Sequence, residues 1–250
     1  MSVDAFAVGR TLQAIELLSF QPASAPQLAG ALRIHPRTAR RLLNRLVADG
    51  WLTRSPGRQR TYAPTMRIVA LAAQLAEGAT LSQLAAPVVE RLHAATGAAA
   101  HLAVPCYRSV LCLVHRGGGR DLPPGLRELM PCHATAAGKA LLAHRDAWRA
   151  SVLAQPLAAR TPATLVEPRA LVSALAAARE QGHAVEDGEH LPDVRGVAAA
   201  VFDHTGEAVA AIAISGPAVS LPCSALPGLG RTVAERAREL TAALEGAADG

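Results

Sequence analysis

The first 50 residues contain apolar positions spaced three or four apart, which predicts amphipathic helices. Residues 8–20 form the first of these segments. Its expected buried stripe comprises Val8, Leu12, Ile15 and Leu18. A second helix is predicted over residues 25–33, because Ser24 offers a capping oxygen and Pro26 suits the first helical turn. Leu28, Ala29 and Leu32 are its expected buried face.

A third helix is predicted from the turn at residues 34–36 to Asp49, and Gly50 suits a left-handed C-terminal cap. Its apolar positions are Ala39, Leu42, Leu43, Leu46 and Val47. Two short extended segments follow, residues 51–55 and 60–64, joined by a Pro-Gly turn that favours a hairpin. Three helices followed by a hairpin are typical of a winged helix-turn-helix.

Basic charge is concentrated in this same part of the chain. Residues 1–64 hold nine arginines and three acids, a net charge of +6, whereas the remaining 186 residues have a net charge of −1. Eight of the nine arginines lie between residues 33 and 62, where the only acid is Asp49. A localised basic patch favours a polyanionic partner, because neutralising phosphates releases counterions.

The third helix separates its basic residues from its apolar ones. The expected solvent stripe carries Arg37, Arg40, Arg41 and Asn44, with Thr38 and Arg45 beside it. Arginine can fork to guanine and asparagine can pair with adenine in the major groove of DNA, so we expect this stripe to read bases. The predicted wing adds Arg54, Arg58 and Arg60, which we expect to contact the backbone or the minor groove. Which arginines reach bases stays open.

Other interpretations of the basic helix remain at this point. It could be a solvated face in a protein–protein module, or part of a non-specific DNA-binding protein that contacts phosphates alone. The charge ends near Pro64, after which residues 65–78 and 81–97 predict two further helices. The first has an apolar side that would suit either a dimer contact or core packing.

Strands and helices alternate in the second part of the chain. Apolar segments predict paired strands over 98–107 and 108–115, helices over 134–144 and 167–182, three later strands and a terminal helix. Five or six strands with helices on the sheet faces indicate an α+β domain. Small residues begin the helix after Thr135, which would leave backbone N–H groups open to a carboxylate, or would serve close helix packing equally well.

The sequence gives little support to a phosphate-binding loop, a metal site or a catalytic site. Residues 116–120 lack the spacing of a phosphate-binding loop. No strong ligand spacing connects the candidate metal ligands, so we expect no metal. These candidates are His133, Glu186, Asp187, Glu189 and His190. An enzymatic set of Lys139, His133 and Glu186 is a rival interpretation, but no nucleophile is paired with a base, and we expect no catalytic residue and no cofactor.

Composition favours a cytoplasmic protein. No apolar run reaches the roughly 20 residues that cross a bilayer, and residues 1–10 lack the pattern of a secretory signal. The four cysteines have no C-x-x-C spacing, which is typical of thiols in a reducing compartment. We therefore expect no membrane partner.

Three segments together resemble the IclR family of bacterial transcriptional regulators. They are LLNRLVADGWLTR (42–54), MPCHATAAGKALLAH (130–144) and the run from Leu157 to Pro217. The resemblance implies a winged helix-turn-helix over residues 1–64, a linker helix over 65–80 and a GAF-like α/β effector-binding domain over 81–250. It also implies a homodimer or tetramer that binds a palindromic operator in double-stranded DNA, as repressor or activator.

The resemblance also implies an effector pocket for a small organic or aromatic acid. The positions that match the family's pocket are Ala136, Ala137, Glu186, Val194, Gly196, Ala213 and Ser215. Three of them depart from residues that the family often has: Glu186 replaces Asp, Gly196 replaces a larger residue such as Cys, and Ala213 replaces Ser. Fewer polar anchors favour a bulkier or more apolar acid than glyoxylate or pyruvate.

Overall fold

Two units divide the chain at residue 78, in a computed structural model that describes residues 3–56, 60–70, 80–117 and 129–248. The first unit carries three helices and a small sheet. They are α1 (Val3–Phe20), β1 (Ala23–Ser24), α2 (Ala25–Leu32), α3 (Pro36–Ala48), β2 (Leu52–Arg54) and β3 (Thr61–Pro64). The strands pair antiparallel in the order β1-β3-β2, which makes the predicted winged helix-turn-helix.

Both ends of α3 are defined by local chemistry. His35 precedes the helix, and its Nδ1 atom accepts a hydrogen bond from the backbone N–H of Arg37 at 3.2 Å. Gly50 adopts the predicted left-handed conformation with φ +77°, and the N–H of Trp51 closes the end on the carbonyl of Leu46. Glycine is suited to this position because it adopts positive φ without steric cost.

The core of the first unit is centred on Ala14, Leu18 and Leu43, all of which are buried. The predicted stripe of α1 is wrong at Leu12, whose exposed fraction is 62%. Leu12 precedes Ala14 by two residues and so points about 200° away from it around the helix. The small side chain of Ala14 defines the buried side, although a pattern of large apolar residues gives it little weight.

A six-stranded antiparallel sheet forms the centre of the second unit, with strands in the order β6-β5-β4-β9-β8-β7. Its strands are β4 (Ala99–Cys106), β5 (Ser109–Arg116), β6 (Met130–Pro131), β7 (Ala184–Asp187), β8 (Val194–Phe202) and β9 (Ala208–Pro217). Its helices are α4 (Thr80–Thr96), α5 (Ala136–Leu142), α6 (Asp146–Leu153), α7 (Pro168–Gln181) and α8 (Leu226–Ala248). The predicted strands and long helices of this α+β unit are present, whereas α6 was not predicted.

The two faces of the sheet carry separate cores. Val197 and Ile212 pack with α4 and α8, while their chain neighbours Ala198 and Ala211 pack with α5, α6 and α7. This alternation follows from the two-residue period of a strand. Small residues on the α5 side let that helix approach the sheet closely.

Gly138 marks the tightest approach of α5. A Cβ atom at this position would lie 2.1 Å from the carbonyl oxygen of Cys132 and 2.4 Å from its Cα atom. Only glycine can therefore occupy position 138 without displacing the backbone.

Some predictions lie partly or wholly outside the described residues. Residues 66–70 are helical, as the linker prediction requires, but residues 71–79 and the wing residue Arg58 are not described. Within the part of the chain that is described, no helix has both the length and the apolar character to cross a membrane.

Candidate functional site

A basic, solvent-facing surface lies along α3. All six polar residues predicted there are exposed: Arg37, Thr38, Arg40, Arg41, Asn44 and Arg45. The opposite side of the helix is buried through Ala39, Leu43 and Leu46. The predicted division of this helix into an apolar and a basic stripe is therefore present in the structure.

The arginines of this surface differ in their pairing. Arg45 forms an ion pair with Asp49 at 2.8 Å, one turn later in the same helix. Arg37, Arg40 and Arg41 form no ion pair with any described residue. The positive charge that is available to a partner is thus concentrated on the first half of α3.

The strand arginines extend the same surface. Arg54 and Arg60 are exposed on β2 and just before β3, and together with Arg40 and Asn44 they line one open groove. Ser24 and the ring of Tyr62 complete its walls. The structure therefore brings part of the predicted reading stripe and part of the predicted wing into one concave, basic surface.

Contacts at the C-terminal end of α3 hold its orientation. Arg67 donates to the carbonyl of Asp49 at 2.7 Å, and its guanidinium lies 4.3 Å from the ring centroid of Trp51. Thr65 donates to the carbonyl of Gly50 at 2.7 Å. Sequence reasoning missed these contacts, because they join the end of a helix to residues that follow the hairpin.

A small cavity lies in the second unit between α5 and the sheet. The seven residues predicted for the effector pocket all line it, together with His101, Met130, Thr135, His190, Leu191 and Ile214. Its volume is about 20 Å³, enough for about one water molecule. A larger ligand therefore requires the lining residues to move apart.

Residues from several strands and from the start of α5 meet at this cavity. Glu186 belongs to β7, Gly196 to β8 and Ser215 to β9, which are neighbouring strands. His101 comes from β4, where it pairs in register with Ala213 of β9. Ala136 and Ala137 begin α5, whose seven residues pack across this end of the sheet.

The backbone N–H groups at the start of α5 are already used in part. Ala136 donates to the Glu186 carboxylate at 3.3 Å, and Gly138 donates to the hydroxyl of Thr135 at 3.2 Å. The expectation that these groups are open to an incoming carboxylate is therefore wrong for these two residues. Glu186 also accepts from the backbone N–H of His190 at 3.3 Å, so a carboxylate of the chain itself occupies the position.

Burial controls the charge of the groups in the cavity. Loss of solvent raises the pKa of Glu186 to about 7, against the opposing effect of its two backbone hydrogen bonds. Burial, with a smaller contribution from His115, lowers the pKa of His101 to about 4. Burial and then Arg160 lower the pKa of His190. At neutral pH the cavity walls thus include a neutral His101 and a Glu186 carboxyl group near the middle of its titration.

Several buried polar atoms around the cavity have no hydrogen-bond partner in the described structure. They are Nδ1 of His101, both ring nitrogens of His190 and Oγ of Ser215. Buried polar groups are nearly always paired in folded proteins, so these atoms are available to a bound molecule. Sequence reasoning missed His101 as a lining residue, and its only signal was a polar residue within an apolar strand.

Lys139 and Glu189 form a buried ion pair close to the cavity, although neither residue lines it. His133 instead hydrogen-bonds the carbonyl of Ala158 at 3.0 Å. The rival enzymatic set of Lys139, His133 and Glu186 is therefore spread over separate partners. Asp187 pairs with Arg195 at 2.6 Å, and the described residues contain no group of three or more side chains suited to a metal.

Residues 73–242 match the family described as "Bacterial transcriptional regulator IclR C-terminal". The chain belongs to the IclR family. The match covers more than half of the chain and includes every residue of the cavity. IclR proteins are transcriptional regulators and not enzymes, so the chain is a DNA-binding regulator with an effector-binding domain.

Two relatives agree with this assignment. This IclR-family chain is 31% identical over 242 residues to the HTH-type transcriptional regulator BhcR of Paracoccus denitrificans. The alignment covers 94% of this chain and 86% of BhcR. The chain is 38% identical over 117 residues to the HTH-type transcriptional repressor AllR of Escherichia coli, covering 46% of this chain and 43% of the repressor.

Solved IclR structures share the fold along nearly the whole chain. An IclR regulator from Silicibacter sp. aligns with a TM-score of 0.82 at 22% identity, covering 95% of this chain and 96% of that one. An IclR homologue from Microbacterium hydrocarbonoxydans, crystallised with 4-hydroxybenzoate, aligns with a TM-score of 0.72 at 24% identity, covering 95% and 99%. The α+β IclR fold predicted from the sequence is thereby confirmed.

Proposed function

We propose that this IclR protein binds a palindromic operator as a homodimer or tetramer, through α3 and the wing, and that a small organic or aromatic acid in the cavity controls this binding. The exposed stripe of arginines without acid partners carries the DNA part of the proposal. The cavity with unpartnered buried polar atoms carries the effector part. The protein would act in the cytoplasm, where operator DNA is found.

The residues that line the groove beside α3 are suited to two different kinds of DNA contact. Arg40 and Asn44 project from the helix, so they can reach base edges when α3 lies in the major groove. Arg54 and Arg60 lie on the hairpin side of the groove, where contacts with phosphate or the minor groove are expected. Two copies would require half-sites about 34 Å apart, or a multiple of that distance.

Replacing Arg41 by alanine tests the reading role of α3. We expect the Arg41→Ala protein to bind its operator more weakly by about 1–3 kcal/mol and to lose preference at one base pair, because a bidentate contact with guanine disappears. The operator can be selected from random-sequence DNA, and affinities measured by fluorescence anisotropy at fixed salt.

The matched control is Arg169→Ala, which removes an exposed arginine from α7. It should leave operator affinity within about 0.5 kcal/mol of the parent protein. Equal weakening of Arg41→Ala on operator and random DNA would assign Arg41 to phosphate contact. Operator affinity no better than that for random DNA in the parent protein would contradict sequence-specific binding as a whole.

The effector part rests on the chemistry of the cavity walls. Met130, Ala137 and Ile214 provide apolar contact, while His101, His190 and Ser215 offer polar atoms without partners. Ligand sites typically combine a mainly apolar lining with a few convergent polar groups. The structural neighbour that holds 4-hydroxybenzoate supports an aromatic acid as a probe for this chain.

Control of DNA binding requires the effector to prefer one arrangement of the protein. An effector changes operator affinity only by the difference between its affinities for the two arrangements, typically about 1–3 kcal/mol. Widening of the cavity from its present volume is the structural change that ligand entry must cause.

Filling the cavity tests the effector role. We expect Ala137→Leu to abolish the response of operator binding to ligand while leaving operator binding itself intact, because Ala137 is buried in the cavity wall. The ligand is found first with a thermal-shift screen of organic acids, in which a ligand of the native state raises the melting temperature. Operator binding is then measured with and without it.

Enlarging a buried alanine can by itself lower the stability of the protein by about 1–3 kcal/mol. The control variant for Ala137→Leu must therefore introduce a similar strain. Ala140→Leu enlarges another buried alanine of α5 that does not line the cavity, and it should keep the ligand response. If Ala137→Leu loses operator binding as well, position 137 serves folding and not ligand binding.

A further inference from the structure

The cavity contains an acid and no strong cation. Glu186 lines it and is 6% exposed, whereas none of the described lining residues is arginine or lysine. An anionic ligand that enters this space meets a carboxyl group instead of a fixed positive charge.

The charged and titratable groups on α5, on β4 and on the turn after β7 that lie near Glu186 are engaged or neutral. On α5, Lys139 is paired with Glu189, which lies on the turn after β7. On the same turn, His190 has a pKa lowered mainly by burial. His101 on β4 is buried and uncharged at neutral pH, because its pKa is lowered to about 4.

The remaining groups near this end of the sheet are held in the same way. Arg195 on β8 is paired with the neighbouring Asp187 of β7. His133, which precedes α5, hydrogen-bonds the carbonyl of Ala158 and has a pKa lowered mainly by burial. Arg160 is exposed and lowers the pKa of His190, but it does not line the cavity. None of the described lining residues therefore offers a permanent positive charge to a second carboxylate.

Building on the proposed effector site, we infer that the cavity takes its organic acid together with one proton, which the ligand carboxylate and Glu186 share. The proton comes from solvent, and no covalent bond forms or breaks. Two carboxylates within one buried site cannot both stay ionised, because their repulsion is strong where water is excluded. The pair then titrates as a unit.

The carboxyl oxygens of Glu186 can take part in a further hydrogen bond, in which the shared proton would lie. The two oxygens of Glu186 accept from the backbone N–H groups of Ala136 and His190, both at 3.3 Å, which is long for such bonds. A ligand carboxyl group beside Glu186 would add a short hydrogen bond between oxygens. His101, His190 and Ser215, which have buried polar atoms without partners, line the same cavity and are the candidates for contact with the other ligand oxygen.

The direction of the pH dependence follows from the pKa of Glu186, which burial raises to about 7. Below this pH the free protein already carries the proton, so binding takes up none and the Kd stays constant. Above it the proton must come from solvent, and the Kd should rise roughly tenfold for each pH unit. Stronger binding at lower pH is the expected sign.

Calorimetry on the full-length protein tests this inference, with 4-hydroxybenzoate and its neutral amide as probes. Titrations between about pH 6 and 8.5, in buffers of different ionisation enthalpy, measure both the Kd and the number of protons taken up. We expect uptake close to one proton per bound acid above about pH 7.5, and no uptake with the amide.

Glu186→Gln retains the size of the side chain and cannot ionise. It should bind the acid with a Kd that no longer varies with pH, while Glu180→Gln, which alters an exposed glutamate of α7, should behave as the parent protein. The parent protein alone decides the question if the Glu186 variant fails to fold.

The outcomes separate this inference from the proposed function. Tight binding of the acid with no proton uptake and a constant Kd overturns the shared proton and leaves the effector site standing. Failure of both acid and amide to bind at any pH overturns the aromatic-acid effector and the shared proton together. Uptake that persists unchanged in Glu186→Gln assigns the proton to a group other than Glu186 and overturns the role of Glu186.

Discussion

Gly138→Ala should destabilise the effector-binding unit by at least about 3 kcal/mol, which is at the extreme for a single methyl group. The added Cβ would lie 2.1 Å from the carbonyl oxygen of Cys132. The obstacle is backbone, so no side-chain rotation relieves it, and α5 would have to move away from the turn before it. Urea unfolding followed by circular dichroism measures the change.

Gly246→Ala provides the matched control within the same unit. Gly246 lies in α8, and beyond its chain neighbours and the backbone of its own helix no described atom lies within 4 Å of the position that its Cβ would occupy. Alanine there should be neutral or stabilising by up to about 1 kcal/mol, because alanine favours a helix more than glycine does. Equal stability of the Gly138→Ala and Gly246→Ala proteins would show that α5 tolerates displacement.

Lys139→Met should be the second severe change, with an expected cost of about 3–5 kcal/mol. Lys139 is 3% exposed, and its ammonium is paired with Glu189. Methionine preserves much of the side-chain volume but leaves Glu189 as a buried carboxylate without its cation. Thermal and urea unfolding of the full chain provide the measurement.

Lowering the pH should reduce the loss of stability in the Lys139→Met protein. Burial raises the pKa of Glu189, and Lys139 opposes that rise. Without Lys139 the pKa of Glu189 in the folded protein rises further above its unfolded value, so protonation stabilises the fold as the pH falls. The stability gap between the Lys139→Met and parent proteins should therefore narrow on acidification.

The double variant Lys139→Met/Glu189→Gln is the control for this interpretation. Removing both charges should recover much of the loss, since a neutral pair carries a smaller desolvation cost. If Lys139→Met alone is as stable as the parent, the ion pair contributes nothing to the fold. If the double variant is as unstable as the single one, the loss comes from packing around position 139.

The parts of the fold that sequence reasoning predicted are those with strong local periodicity. In α3, the spacing of Ala39, Leu43 and Leu46 defines the buried side, and the arginine stripe follows by geometry. Gly50 identifies the helix end for a reason that is equally local. The strands β8 and β9 were found because they are apolar and separated by a short turn.

The parts that were missed depend on contacts between distant residues. Glu186 meets the N–H of Ala136, fifty positions earlier, and Lys139 meets Glu189 across the same interval. No spacing rule connects such pairs, because the fold brings them together. The seven pocket positions came from a family resemblance, and they share one cavity in the structure, whereas the additional lining by His101 and His190 emerged only from the fold.

The buried ion pair has a practical consequence, because Lys139 is the only lysine in the sequence. The side-chain amine most often used to attach dyes or to cross-link proteins is therefore enclosed in the effector-binding unit while that unit is folded. A pulse of an amine-reactive reagent reaches position 139 only when this region opens. Mass spectrometry of that one peptide then reports local opening of the ligand-sensing unit, with no label introduced.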